Sequence, residues 1–147
     1  MTTILNQIDC ISREIRNIKI YPNYAVRFIN HKNELSEGYQ PLFSFENIIT
    51  EDYRQSIKTL QQRGNYYYSI DISFGVYLTE VQSDTLQYLL QSLNSKRFAV
   101  QLVTNTATTL IGNVYEPLRI EVHNHTKNDE QGRDKYEIVI KGEVTNV

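Results

Sequence analysis

Apolar and polar positions alternate strongly with a period of two in two runs of the C-terminal third of the chain, 117–123 and 135–143, and the runs 97–104 and 108–112 ahead of them are short and apolar-rich. Alternation sends successive side chains to opposite faces, so each run is expected to be a strand with one buried face. The run 66–76 is the clearest. Tyr66, Tyr68, Ile70, Ile72 and Phe74 share one face, and Tyr67, Ser69, Asp71 and Ser73 share the other. Residues 24–29 alternate likewise and are rich in β-formers. Gly64 and Asn65 precede 66–76, which predicts a long hairpin turning between Gln61 and Tyr66. Across 43–62 two readings compete. Tyr53, Ile57 and Leu60 stand at helical spacing, while Ile49, Tyr53 and Ile57 also share a strand face. A strand is favoured for 52–62.

One helix is expected over 83–95, with Ser83 or Asp84 as N-cap and Leu86, Leu89, Leu90 and Leu93 on one face. Near the start, Ile8, Ile11, Ile15 and Ile18 have helical spacing. Ile18 and Ile20 ahead of Pro22 fit a strand over 15–20, with 1–14 as a flexible N-terminal segment. Residues 31–41, with Gly38 and Pro41, read as a loop, and 124–134 as an extended hairpin tip. Strands outnumber helices and short links join neighbours, so the pairing should be antiparallel. The expected architecture over 1–147 is a single α+β, β-rich domain. It is an antiparallel β-sandwich or partly open barrel with one packed helix and extended hairpins. Leu102, Leu110, Leu118, Ile120, Ile138, Ile140 and the helix leucines are the expected core.

Composition narrows the function. A chain of 147 residues makes about one domain and can bury a core without metal or disulfides. A net charge of −2 argues against a binder held by phosphate contacts. Cys10 is the sole cysteine, which excludes an internal disulfide and a cysteine-built zinc site. It is expected to be a reduced thiol. The start lacks a basic leader with an apolar run, and no apolar run reaches the ~20 residues that span a bilayer. The expectation is cytoplasmic synthesis without a membrane.

Candidate chemistry is sparse. His123 and His125 stand two apart on a strand, a chelating spacing that lacks a third ligand, and exposed loop histidines explain them better. His31 is a lone loop histidine. Asp129, Glu130 and Asp134 lack the ligand periodicity of a calcium loop and read as a solvated turn. The row Tyr66, Tyr67 and Tyr68 resembles a stacking platform, but Asp71 and Glu80 nearby are not basic, so core plus interface is the better account. No nucleophile elbow, phosphate loop or dinucleotide fingerprint is present. Catalytic residues, cofactors and metals are therefore expected to be none.

Several segments in fixed order carry a resemblance. They are Leu89-Leu-Gln-Ser-Leu93, the run 97–103, Leu110-Ile-Gly-Asn-Val-Tyr-Glu-Pro-Leu-Arg-Ile120, and the Asp-x-Tyr-Glu-Ile ending within 132–143. Over roughly residues 66–145 the chain resembles small structural proteins of Bacteroidetes tailed phages, including crAss-like phages, encoded near the tail and neck genes. The resemblance implies a non-enzymatic virion protein, assembled in the host bacterial cytoplasm. It would be a ring-forming subunit of the head–tail connector or tail. The alternatives are a binding module, such as a chaperone or adaptor for tail assembly absent from the finished particle, and a small enzyme or metal protein using His123 and His125. Implied partners are copies of itself and adjacent neck or tail proteins such as the portal, with no membrane and no specific nucleic acid beyond a passive DNA channel. The expected interface residues are Gly64, Asn65, Tyr67, Asp129, Glu130, Arg133 and Asp134.

Overall fold

The computed structural model of the chain describes residues 15–30, 32–62, 64–92, 97–104, 107–128 and 133–145. In chain order the strands are β1 (Asn17–Pro22), β2 (Val26–Ile29), β3 (Lys32–Leu35), β4 (Phe43–Phe45), β5 (Ile48–Gln62) and β6 (Asn65–Thr79). Helix α1 (Glu80–Ser92) follows, then β7 (Phe98–Val103), β8 (Thr108–Ile111), β9 (Arg119–Asn128) and β10 (Arg133–Val144). Two four-stranded sheets form, ordered β4-β1-β7-β8 and β5-β6-β10-β9, and β2 and β3 make a separate hairpin. Every pairing is antiparallel. The result is a β-sandwich with one helix, not a closed barrel.

Alternation explains the layers. From β6 the inward set Tyr68, Ile70, Ile72, Phe74, Val76 and Leu78 is buried. It meets Ile18, Ile20, Phe45, Val100 and Leu102 of the first sheet in one core cluster. Phe45 and Phe74 touch edge to face across the sheets, with ring centroids 5.2 Å apart. At one corner the sheets are stitched directly, because Phe98 and Leu118 exchange both backbone bonds at 2.7 and 2.8 Å. Of the expected core, Leu102, Leu118, Ile120, Ile138 and Ile140 are buried, as are Leu86 and Leu89. Leu110 is only half-buried. It lies on the face of the short edge strand β8 opposite to Ile111, which takes the core position.

Three boundaries differ from expectation. The helix starts at Glu80 rather than Ser83, because Thr79 and Gln82 cap it reciprocally. The Gln82 N–H donates to Thr79 Oγ1 at 3.3 Å, and the Thr79 N–H donates to Gln82 Oε1 at 3.0 Å. Ser83 is thereby placed inside the helix, buried, and bonded to the Tyr136 hydroxyl. Part of the expected loop 31–41 is strand β3, which pairs with β2 through a tight turn where Asn30 takes φ +53°. The expected tip 124–134 is mostly strand. β9 runs on to Asn128, with His123 bulged out as an extra residue opposite the step from Glu137 to Ile138 of β10. The strand favoured over 52–62 is present as part of β5. The segment 1–14, His31 and Leu93 lie outside the described residues.

Candidate functional site

Register determines what the second sheet shows to the outside. Opposite the buried set of β6 stand Ser69, Asp71 and Ser73. Beside them β10 places Lys135, Glu137 and Lys141, and β5 places Arg54, Ser56 and Lys58. Arg54, Ser56, Lys58, Asp71, Lys135 and Glu137 are all exposed, so this outer face meets solvent as a field of mixed charge. The pairs on it are Lys135 with Asp52 at 3.4 Å and Arg119 with Glu121 at 3.6 Å. His123 lies 3.0 Å from Glu121, and Asn124 donates to Glu137 at 3.2 Å. The hydrogen bond with His123 holds the Glu121 carboxyl below its ordinary range, and the charges of Lys141 and Arg119 add to this.

Two shallow hollows open on this face. One of about 430 Å³ lies between Asp71, Arg119, Lys141 and Glu143. The other, about 300 Å³, lies between Asp52, Arg54, Lys135 and Glu137 with Gly75 in its floor. Gly75 lies under the side chains of Ile49 and Asp52. Four residues of β5, 50–53, face the single residue Phe74, so β5 folds over β6 at this point. A Cβ on Gly75 would sit 2.6 Å from Asp52 Oδ2. The same fold turns Tyr53 into the core, where burial pushes its phenol pKa far above the ordinary value. Both hollows are open and carry charged side chains at their rims. Among the described residues, no group of three or more His, Cys, Asp or Glu side chains could hold a metal.

The two hairpins expected to carry interface residues point to opposite ends of the sheet. At one end Gln62 pairs with Asn65, and Gly64 takes φ +82°, a left-handed conformation that glycine adopts without strain. β10 ends with Val144 opposite Tyr68, so residues 65–67 extend past it as a two-stranded ribbon of roughly 10 Å. On that ribbon Tyr67 is half-buried opposite Leu60, and Tyr66 is exposed. At the other end Arg133 opens β10 opposite Thr79 and Asn128. Asp134 is half-buried and meets His125 Nε2 at 2.8 Å. Asp129 and Glu130 lie outside the described residues. Thus Gly64, Asn65 and Tyr67 form one tip, Arg133 and Asp134 the base of the other, and the length of β6 separates them.

The histidines are strand residues, not loop residues, and they do not converge. The bulge sends His123 to Glu121 on the outer face. His125 is on the inner face, stacked on Tyr136 with ring centroids 4.2 Å apart. His125 and Asp134 resemble two-thirds of a hydrolytic triad, but the buried Ser83 hydroxyl is bonded to Tyr136 instead.

The segment 110–120, expected as the end of one strand and the start of the next, ties distant parts of the fold together. Gly112 takes φ +90°, and a Cβ there would lie 3.2 Å from the Phe98 carbonyl. Asn113, buried, donates to Asn33 Oδ1 at 2.8 Å and accepts from the Tyr115 and Glu116 N–H groups at 2.9 and 3.1 Å. The Glu116 carboxylate accepts from the Thr145 N–H and hydroxyl. Asn33 and Thr145, far apart in the sequence, are thus bonded to one turn. Close to it, Tyr24, Tyr39, Val114 and Tyr115 are exposed, and Asn23 Nδ2 reaches the Val114 carbonyl.

No helix among the described residues is long and apolar enough to cross a membrane. No family model, curated protein or solved structure matches the chain.

Proposed function

We propose that the chain is a non-enzymatic structural subunit that builds rings in a phage neck or tail and resides in the virion. The observation that supports this best is the form of the second sheet. It is long, its outer face is charged and solvent-exposed, and its two hairpins lie at opposite ends of the sheet. Such a shape offers lateral surfaces to neighbours in a ring and end surfaces to rings above and below. Lateral contacts between unlike surfaces close into rings when the rotation per copy divides a full turn. The resemblance carried by 110–120 and 132–143 supports the same setting. The hollows on the outer face hold no convergent nucleophile, base and orienting group, which a hydrolytic role would use.

The test is the solution mass of the purified protein by native mass spectrometry over a concentration series, followed by electron microscopy of the largest species. Closed rings of one size are expected. Absence of self-association both in solution and in finished particles would overturn the proposal.

A further inference from the structure

Strands β8 and β9, each last in its sheet, are fastened to other parts of the chain. Leu118 at the head of β9 exchanges both backbone bonds with Phe98 at the start of β7. Beside β8 the β2–β3 hairpin is tied on by Asn33, whose Nδ2 donates to the Leu110 carbonyl at 3.0 Å, and by the Val114 N–H, which donates to the Val26 carbonyl at 3.0 Å. Strand β5, at the other end of the second sheet, differs. Among the described residues β6 is the only strand that pairs with it. It is distorted at 50–53, but from Arg54 to Gln62 it matches β6 one residue for one. Within that regular run, 56–60 holds no proline or glycine and one charge, Lys58. An open strand of this kind is a template for another strand, since bulges, proline and charge are what blunt an edge.

We infer that the partner is a second copy of the chain, β5 against β5 across a two-fold axis through Ile57. The pairing does not depend on the ring reading, because two copies can join this way whether or not larger rings then close. An axis perpendicular to the sheet runs the two strands antiparallel and keeps inner face with inner face. The two four-stranded sheets then become one. Backbone phase is satisfied by symmetry. Alternate residues of an antiparallel strand turn their N–H and C=O groups to the same side, so residues equally far from the axis on the two copies point alike.

Side chains choose the axis. With Ile57 opposite its own copy, two half-buried apolar groups meet on the inner face. On the outer face Lys58 stands opposite the partner's Ser56. Ser56 is level with Asp71 on β6, and Ser56, Lys58 and Asp71 are all exposed. Behind the small Ser56 side chain, two strands or roughly 10 Å from Lys58, is therefore a carboxylate of the other copy. The flexible four-carbon stem of a lysine spans most of that gap. Symmetry makes this ion pair twice, and each Asp71, already opposite Lys141, is bracketed by two lysines. Neighbouring axes fit worse. An axis through Ser56 sets Lys58 opposite Arg54, one through Lys58 sets the two lysines against each other, and one through Thr59 sets Ile57 opposite Gln61. Like charges directly across strands oppose a pairing, so register is selected by repulsion as well as by contact. An edge lysine is also how a monomer guards a strand. The two roles differ in sign: removing a guard promotes association, and reversing a pairing charge weakens it.

The test is the dimer dissociation constant of the full-length protein, measured by sedimentation equilibrium. Lys58→Glu and Asp71→Lys should each weaken the dimer about tenfold or more, and the double variant should regain most of the loss. Circular dichroism checks that each variant is folded. In a Cys10→Ser background, single cysteines in place of Ser56, Ile57, Lys58 and Thr59 map the axis on oxidation. Ile57→Cys should give the highest yield and stop at a covalent dimer, because directly opposed residues of antiparallel strands lie about 4.5–5.5 Å apart, within disulfide range. A yield that peaks at another position, tighter association of Lys58→Glu, or a protein monomeric at every concentration would overturn the pairing. Closed rings that form equally well in both charge variants would overturn it and leave the ring reading intact. Dimers alone, in solution and in finished particles, would support the pairing and overturn the rings.

Discussion

Replacing Asn113 by alanine is the most direct test of how the 110–120 segment holds the fold. Asn113 is 2% exposed, and its amide makes three bonds of 2.8–3.1 Å, to Asn33, Tyr115 and Glu116. Each such bond contributes about 1 kcal/mol net, and water can reach the exposed Tyr115 once its partner is removed, so the expected loss is about 2–3 kcal/mol. With an unfolding entropy of roughly 0.3 kcal/mol/K for a chain this size, Tm should fall by about 7–10 °C. Asn33→Ala removes the shared bond and the donation from Nδ2 to the Leu110 carbonyl at 3.0 Å, for about 1–2 kcal/mol. The double variant should lose about 1 kcal/mol less than the sum, because the Asn33–Asn113 bond is then counted once. Thermal and urea denaturation followed by far-ultraviolet circular dichroism measures all four proteins. An Asn113→Ala protein melting within about 2 °C of the parent, or strict additivity in the cycle, would refute the assigned role.

Three further expectations concern the core. Tyr136→Phe leaves the buried Ser83 hydroxyl and the Gln87 amide without their partner, for about 1–3 kcal/mol, and adding Ser83→Ala should recover part of that loss in the same melts. Gly112→Ala combines a left-handed backbone with a crowded Phe98 carbonyl and should cost about 1–3 kcal/mol, read as a lower urea midpoint. For Tyr53 the folded phenol titrates above its unfolded value, so the unfolded chain loses that proton first as pH rises. The stability it contributes is whole below pH ~10 and declines above it by up to about 1.4 kcal/mol per pH unit. Tyr53→Phe should flatten that alkaline decline, and an unchanged slope would count against burial as its cause.

How far the sequence reveals this fold depends on the range of the interaction. Ile120, Ile138 and Ile140 were legible because alternation is local and the strands carrying them are regular. Beyond Val122 the bulge breaks the period, so 124–128 reads as polar loop although it is strand. The start of the helix was written in Thr79 and Gln82, but Ser83 and Asp84 offer competing caps of the same chemistry. Which sheet a strand joins could not be read at all. β4 and β5 are separated by two residues and belong to different sheets, a choice made by partners far along the chain. Among the interface candidates, the turn at Gly64 was visible as punctuation. The pairing of Asp134 with His125 and the opposed directions of the two tips depend on register, which no local pattern contains.

The central position of β1 has a consequence in time. Its main partner is β7, with Ile18 opposite Leu102, 84 residues later. At ordinary synthesis rates of about 5–20 residues per second, β1 waits roughly 4–17 s before β7 exists. The β5–β6 hairpin, by contrast, can zip within microseconds of leaving the ribosome. The second sheet therefore begins to form while the apolar face of the first still lacks its central pair, and such distant pairing makes for slow folding. β9 and β10 come last, so a nascent chain presents β5 well before it can present β9.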